Sequence, residues 1–119
     1  MVVKMNKSYL DFLQQTREDV YLPPIQKLDL LCKSLLEEIA LAAINGKPLT
    51  VTDVISMSHF GAPSTLHRKV HILLQSEWIQ IHFKAQNRRT KYLKLGEFGI
   101  AYFQRMTELM TTNLETTPY

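Results

Sequence analysis

Seven basic side chains are concentrated in one part of the sequence, between residues 62 and 96. Glu77 is the only acid in that stretch, so seven bases and one acid give it a formal charge of +6. The other seven bases and ten acids give the rest of the chain −3. A cluster of this kind is typical of a phosphate-binding face. The basic positions are Arg68, Lys69, Lys84, Arg88, Arg89, Lys91 and Lys94.

The first part of this stretch predicts an exposed helix that begins at Pro63, because proline is favoured at the first helical position. Leu66, Val70 and Leu73 recur at helical spacing and mark its buried side. The opposite side is polar and basic, as expected of a helix that binds base edges and phosphates in a major groove. An ordinary amphipathic surface helix is the alternative. The residues expected to contact DNA are Ser64, Thr65, His67, Arg68, His71 and Gln75.

The second part predicts a basic β-hairpin. Ile79, Ile81 and Phe83 alternate with polar residues, and a second strand-like run returns after a polar tip over residues 85–89. A basic tip beside a recognition helix can reach backbone phosphates or the neighbouring minor groove. The alternative is a hairpin whose charges only discourage edge pairing. The residues expected to contact DNA here are Lys84, Asn87, Arg88, Arg89 and Lys91.

Further elements must position the helix and the hairpin. Apolar residues at helical spacing, bounded by proline, glycine and capping residues, indicate a mainly helical α+β chain. A length of 119 residues is enough for one core, so a single domain over residues 1–119 is expected. The elements predicted are helices over 6–17, 24–45 and 97–113, a short strand at 49–51, and a brief helix capped by Thr52 that ends at Met57 or Ser58.

The first and last helices are more apolar than a small monomer should expose. We therefore expect helices 6–17 and 97–113 to form a homodimer, which would also arrange two half-sites by two-fold symmetry. The alternative is that both helices pack only on their own domain. The residues expected in the dimer interface are Tyr9, Leu10, Leu13, Tyr102, Met106, Leu109 and Met110.

Enzymatic and metal-binding functions find little support in the sequence. It contains no phosphate loop, nucleophile elbow or paired-carboxylate motif, so no catalytic residue or cofactor is expected. His67 and His71 have a spacing that can bind a metal, but no ligand nearby in sequence completes the site. Cys32 lies among apolar helix positions, which favours an inert core thiol over a redox sensor. Trp78 and Phe83 are expected in the core rather than stacked on bases.

Composition places the chain among ordinary globular proteins. Its 45% hydrophobic and 21% charged residues are within the usual range. No apolar run is long enough for a membrane span, and the N-terminal residues lack the hydrophobic core of a signal peptide. A single cysteine fits a reducing compartment. We therefore expect a cytoplasmic protein with an acidic partner and no membrane partner.

Three short motifs occur in a fixed order in the basic stretch. Ser64-Thr65-Leu66-His67-Arg68 opens the exposed helix, and Asn87-Arg88-Arg89 is followed by Leu95 and Gly96-Glu97-Phe98-Gly99. This arrangement resembles the MarR-type winged-helix transcription regulators. In that family the recognition helix opens with S-T-[VL]-x-R, and a wing of the form D-x-R precedes a leucine and T-x-x-G.

The resemblance covers roughly residues 25–99. It implies a winged helix-turn-helix with flanking terminal helices, which binds double-stranded DNA as a dimer and regulates transcription. It matches Arg89 with the wing arginine, whereas Asn87 stands in place of the usual aspartate and Glu77 in place of a common glycine. A winged helix used for protein–protein interaction, or a plasmid or phage replication or partition protein, remains an alternative. No small-molecule effector can be identified from the sequence.

Overall fold

The computed structural model describes residues 5–115 and shows an α+β protein in which helices predominate, as predicted. Two strands pair as an antiparallel hairpin. No helix in the described part of the chain is long and apolar enough to cross a membrane. The elements in chain order are α1 (Ser8–Glu18), a 3₁₀ turn (Ile25–Lys27), α2 (Leu30–Ile44), α3 (Val51–Ile55), α4 (Pro63–Gln75), β1 (Ile79–Lys84), β2 (Asn87–Leu95) and α5 (Glu97–Glu115).

The long helix predicted to begin at Pro24 begins only at Leu30. Pro24 leads into the 3₁₀ turn, which ends at Leu28 in extended backbone. Asp29 is the N-cap of α2, and its carboxylate accepts a hydrogen bond of 2.8 Å from the N–H of Cys32. Leu28 is buried although it precedes the helix. The apolar spacing therefore continued through a 3₁₀ turn and did not mark where the α-helix starts.

The predicted strand at 49–51 is wrong, because the chain makes only a single bridge there. Thr50 pairs with Tyr92 of β2, and the N–H of Leu93 donates to the carbonyl of Leu49 at 2.8 Å. Val51 is already the first residue of α3. The contact nevertheless attaches the start of α3 to the edge of the hairpin.

The brief helix is capped by Thr50 and not, as predicted, by Thr52. The hydroxyl of Thr50 accepts a hydrogen bond from the N–H of Asp53, and the Asp53 carboxylate accepts one from the N–H of Thr50. This reciprocal capping box satisfies two backbone donors at once. The helix ends at Ile55, earlier than the predicted end at Met57 or Ser58.

Residues 24–100 form one compact unit around a single apolar core. Elements α2, α3, α4 and the hairpin all contribute to it, and α4 packs against α2, α3 and β1. Cys32 and Trp78 are buried, so both were correctly expected in the core. The other buried apolar side chains of this unit are Leu28, Leu35, Leu36, Ile39, Val54, Leu66, Val70, Leu73, Ile79 and Leu93.

The turn that ends α4 also determines where α5 begins. The N–H groups of Trp78 and Glu77 donate to the carbonyls of Leu73 and Leu74 at 3.0 and 3.2 Å, which is a Schellman motif. Glu77 adopts the left-handed conformation, with φ of 63°, at the position where glycine is usual. Gly96 approaches this turn so closely that a Cβ would lie 2.4 Å from the carbonyl oxygen of Glu77.

The described residues of the other compact unit, 5–23 and 101–115, contain α1 and most of α5. The guanidinium of Arg105 binds the carboxylate of Asp19, with Nη2 and Oδ2 2.6 Å apart, and lies 5.2 Å from the ring centroid of Tyr21. This hydrogen-bonded ion pair lowers the pKa of Asp19. This ion pair joins the segment after α1 to α5. Helix α1 itself contributes no buried side chain.

We expect Glu77→Gly to stabilise the protein by up to about 1 kcal/mol. A left-handed residue with a side chain costs roughly 1–2 kcal/mol, and the greater freedom of glycine in the unfolded chain cancels part of the gain. Urea unfolding followed by circular dichroism measures the free energy of unfolding. Gly96→Ala is the opposing control, because its methyl group collides with the Glu77 carbonyl and should cost about 1–3 kcal/mol. A less stable Glu77→Gly protein would contradict the left-handed turn.

Candidate nucleic-acid interface

Helix α4 has a buried side and a polar side, as the sequence predicts. Leu66, Val70 and Leu73 are fully buried against the other elements. The opposite side is open to solvent, apart from Thr65, which is half-buried. Ile72 is the one large apolar side chain of this helix that is exposed, with 38% of its surface accessible to solvent. The other predicted DNA-contacting residues of α4 are all exposed: Ser64, His67, Arg68, His71 and Gln75.

One flank of α4 is attached to α2 by an ion pair. The ammonium of Lys69 lies 2.5 Å from Oδ2 of Asp29, the same carboxylate that caps α2. Lys69 was counted in the basic stretch of the sequence, but its charge is neutralised within the protein. The hydrogen bond from Lys69 and that from the N–H of Cys32 hold the pKa of Asp29 below its ordinary value.

Cys32 lies directly under this ion pair and is buried. Burial, followed by the negative charge of Asp29, raises the pKa of the thiol to about 11. Since the thiolate is the reactive form, very little of it is present at neutral pH. The environment therefore supports an inert core thiol.

The hairpin lies on the other flank of α4, and its register is regular only in part. Ile81 pairs with Leu93, and the buried Leu93 identifies the inner face of β2. The ladder is regular from Ile79–Leu95 to His82–Tyr92 and irregular beyond it, so alternation does not assign the faces of residues 88–91; Arg89 and Lys91 are placed instead by the depression that they line. Both side chains are exposed and lie beside α4. The exposed Lys94 lies in the regular part of the ladder, on the face opposite to Leu93.

The hairpin tip is shorter than predicted. The sequence indicated a polar tip over residues 85–89, but β2 already begins at Asn87, so only Ala85 and Gln86 form the turn. Asn87 organises the start of the strand: its Oδ1 accepts from the N–H of Arg89 at 3.0 Å, and its Nδ2 donates to Oγ1 of Thr90 at 3.3 Å. Asn87 therefore shapes the hairpin.

The exposed bases of α4 and the hairpin are not neutralised by acids. Within residues 5–115, ion pairs engage only Lys69 and Arg105 among the bases. Lys84 packs over the ring of Tyr92, with its Nζ 4.5 Å from the ring centroid. We call this set of charges the basic face, although it covers both sides of the hairpin as well as α4. Its members are Arg68, Lys84, Arg88, Arg89, Lys91 and Lys94.

A cleft of ≈ 350 Å³ lies between the start of α3, α4 and β2, and we call it the α3–β2 cleft. Val51 and Ile55 are its apolar lining residues. A second depression of ≈ 240 Å³ shares Val51, His67 and Lys91 with it and extends along α4 to His71. His67 and His71 thus lie on the hairpin side of the polar face. The polar residues that line the α3–β2 cleft are Thr50, Thr52, His67, Arg89, Thr90 and Lys91.

Sequence reasoning identified the bases of this cleft but missed its three threonines. Thr50, Thr52 and Thr90 belong to segments forty residues apart, and no periodicity connects them. The Thr50–Tyr92 bridge brings the two segments together. The only sequence signal was the Thr50–Asp53 spacing of a capping box, which locates the start of α3.

The residues predicted for the dimer interface differ in exposure. Tyr9 is 66% exposed, and Leu10 and Met110 are both 48% exposed. Leu109 is already buried in the single chain, at 8%. The half-buried members of the set are Leu13, Tyr102 and Met106.

His67 and His71 gain no further metal ligand from the fold. Among the described residues, no group of three or more His, Cys, Asp or Glu side chains could hold a metal ion.

We expect the Lys69–Asp29 ion pair to make the free energy of unfolding depend on pH in the acidic range. Since the folded pKa of Asp29 lies below its ordinary value of 3.8, the contribution is present above that value and is lost as the pH falls through the folded pKa. Asp29→Asn keeps a capping side chain but removes the charge. At pH 7 it should lower the free energy of unfolding by about 0.2–1 kcal/mol, the range of partly exposed ion pairs.

Urea titrations of wild type and Asp29→Asn at neutral pH and at about pH 2 measure this difference, which should shrink towards zero in acid. Glu38→Gln is the matched control, because this exposed carboxylate of α2 makes no ion pair within the described residues. A difference of the same size at both pH values would contradict the electrostatic explanation.

Comparisons with known proteins identify no family for this chain. No protein-family model matches it, and no curated protein shows significant similarity to it.

Proposed function

We propose that the protein binds double-stranded DNA, with α4 in the major groove and the β1–β2 hairpin beside it as a wing. The observation that carries this proposal is the basic face, whose exposed cations lie on α4 and the adjoining hairpin without a neutralising acid. Such a surface attracts a polyanion, and release of the counterions of DNA drives the association. The polar outer side of α4 can then form hydrogen bonds with base edges.

The relation between α3 and α4 supports this docking mode. The two helices pack against each other, with Val54 of α3 and Leu66 of α4 both buried. The connecting segment, residues 56–62, contains Gly61, whose φ of 155° lies at the edge of the left-handed region. In a helix-turn-helix, the first helix crosses the backbone while the second enters the groove. We infer a winged helix-turn-helix of this kind in residues 24–100.

A cytoplasmic transcription regulator is the role we propose for this DNA binding, because the motifs of α4 and the wing resemble those of the MarR type. A protein-interaction module is less well supported, since the outer side of α4 is polar except for Ile72. Replication and partition proteins use the same chemistry. Sequencing of the DNA fragments bound in cells would distinguish them, because a regulator binds upstream of genes and a replication or partition protein binds origins or partition sites.

We further propose that the protein acts as a homodimer through α1 and α5. A monomer would leave Tyr9, Leu10 and Met110 in water, although each is a large apolar side chain. Association through a two-fold axis buries the same surface of both copies and presents two α4 helices to two half-sites. The two copies then bind the duplex together.

We expect Arg68→Ala to weaken binding to the preferred duplex by about 1–3 kcal/mol and to relax its base preference, because Arg68 is central on the outer side of α4. Fluorescence anisotropy with the preferred and a scrambled duplex measures both effects. Lys27→Ala is the control: it removes one positive charge from an exposed position in the 3₁₀ turn, outside α4, the hairpin and the proposed dimer helices. If Arg68→Ala and the wild type bind both duplexes alike, the proposed docking of α4 is wrong.

We expect the double variant Leu10→Glu, Met110→Glu to be a folded monomer that binds the preferred duplex at least tenfold more weakly, because charges buried in the interface oppose association. Light scattering measures the mass, and circular dichroism checks the fold. Leu41→Glu is the control, since this residue is equally apolar but is exposed on α2. A wild-type protein that stays monomeric while binding palindromic DNA tightly would overturn the dimer proposal.

A further inference from the structure

We propose that the α3–β2 cleft binds one phosphate group of the DNA backbone, with Arg89 and Lys91 supplying charge and Thr52 and Thr90 supplying hydroxyl donors. This inference rests on the DNA-binding function proposed above and adds to it a contact that is independent of base sequence. It also gives the cleft a function distinct from that of the outer side of α4.

The charges in the cleft are suited to a single anion. Arg89 and Lys91 are two residues apart on β2, in the part of the strand where the register is irregular, and both side chains line the cleft. His67 faces them from α4, and the described residues that line the cleft include no acid. Neither Arg89 nor Lys91 forms an ion pair within residues 5–115. An anion can therefore enter without displacing a carboxylate.

The hydroxyl groups of the cleft are available as donors. Thr90 Oγ1 already accepts a hydrogen bond from Nδ2 of Asn87, which leaves its own proton to donate. Thr52 is exposed, and no hydrogen bond in the described part of the chain engages its hydroxyl. Thr50 instead accepts from the N–H of Asp53 and serves mainly as the cap of α3. Thr52 on one wall and Thr90 on the other can thus donate to different oxygens of a phosphate.

The remaining lining favours the sugar–phosphate backbone over a base. Val51 and Ile55 form the apolar part of the cleft, and its described lining residues include no Phe, Tyr, Trp, Asn or Gln side chain. Bases are recognised by stacking and by bidentate hydrogen bonds, for which His67 and Arg89 are the only suitable groups among the described lining residues, whereas Lys91 and the threonine hydroxyls suit phosphate oxygens. A volume of ≈ 350 Å³ accommodates a phosphate together with part of the flanking sugars.

Neutralisation of single phosphates tests this inference. The DNA is the tightest duplex selected from a random library, synthesised with one methylphosphonate at a time. We expect one position in each half-site at which neutralisation weakens binding about tenfold, the effect of losing a hydrogen-bonded charge. At that position the loss should shrink to about twofold or less in Lys91→Met and in Thr52→Val, because the contact is already missing.

Two matched variants make the result specific to the cleft. Lys94→Met removes a lysine from the face of β2 opposite to Leu93, so it should weaken overall binding while keeping the tenfold penalty at that phosphate. Thr52→Ser retains the hydroxyl and should behave as the wild type does. Equal penalties in wild type, Lys91→Met and Thr52→Val would overturn the cleft contact and leave the DNA-binding function standing. A wild-type protein that binds no duplex would refute both.

A free anion is the other possible source of the phosphate group. Sodium phosphate and sodium chloride at equal ionic strength distinguish the two sources, with DNA affinity as the readout. If the cleft is built for backbone phosphate, both salts should weaken binding equally, as counterion competition predicts. If orthophosphate weakens wild-type binding about tenfold more than chloride does, Lys91→Met abolishes that excess, and no single methylphosphonate weakens binding, the ligand is free phosphate and the backbone contact is wrong.

Discussion

The close contact between the turn after α4 and the start of α5 is the constraint on which the rest of the basic face depends. A Cβ at Gly96 or Gly99 would lie 2.4 Å from the carbonyl oxygens of Glu77 and Trp78, respectively. The N–H of Gly96 also donates to Trp78 at 2.9 Å, which closes the base of the hairpin. Because the hairpin is held there, its direction relative to α4 is set at the end farthest from Arg88 and Arg89. Arg89, at the other end, therefore lies beside α4.

The two flanks of α4 have different electrostatic roles. On the α2 side, the charge of Lys69 is used internally, because it binds the Asp29 carboxylate that caps α2. On the hairpin side, Arg89 and Lys91 have no acidic neighbour that binds them within the described residues. Because Lys69 is already paired, the positive charge that the basic stretch can offer to a ligand is one unit smaller than its formal charge. Most of the remaining unpaired bases lie on the hairpin. A polyanion is drawn to that side of the helix.

Sequence reasoning succeeded where one local signal dominates. Pro63 with the apolar period of α4, and the alternation from Ile79 to Phe83, correctly predict a helix and a hairpin. It failed where two signals overlap: Leu28 has helical spacing but lies outside α2, and Thr52 looks like a cap although the T-x-x-D spacing belongs to Thr50. The α3–β2 cleft could not be predicted, because its walls come from segments that only the tertiary fold brings together.

If the protein binds DNA as proposed, the side chains that bind phosphate and those that bind base edges lie on different parts of its surface. Phosphate contacts fix the register of a protein on DNA but carry no sequence information, whereas base edges do. In this fold the α3–β2 cleft and the outer side of α4 are joined through His67, which lines the cleft and lies one helical step from Arg68. A phosphate held in the cleft would limit the depth and rotation of α4 in the groove. Only a few base pairs would then lie within reach of Arg68, so in the proposed complex discrimination by that side chain would depend on the rigidity of the hairpin base at Gly96.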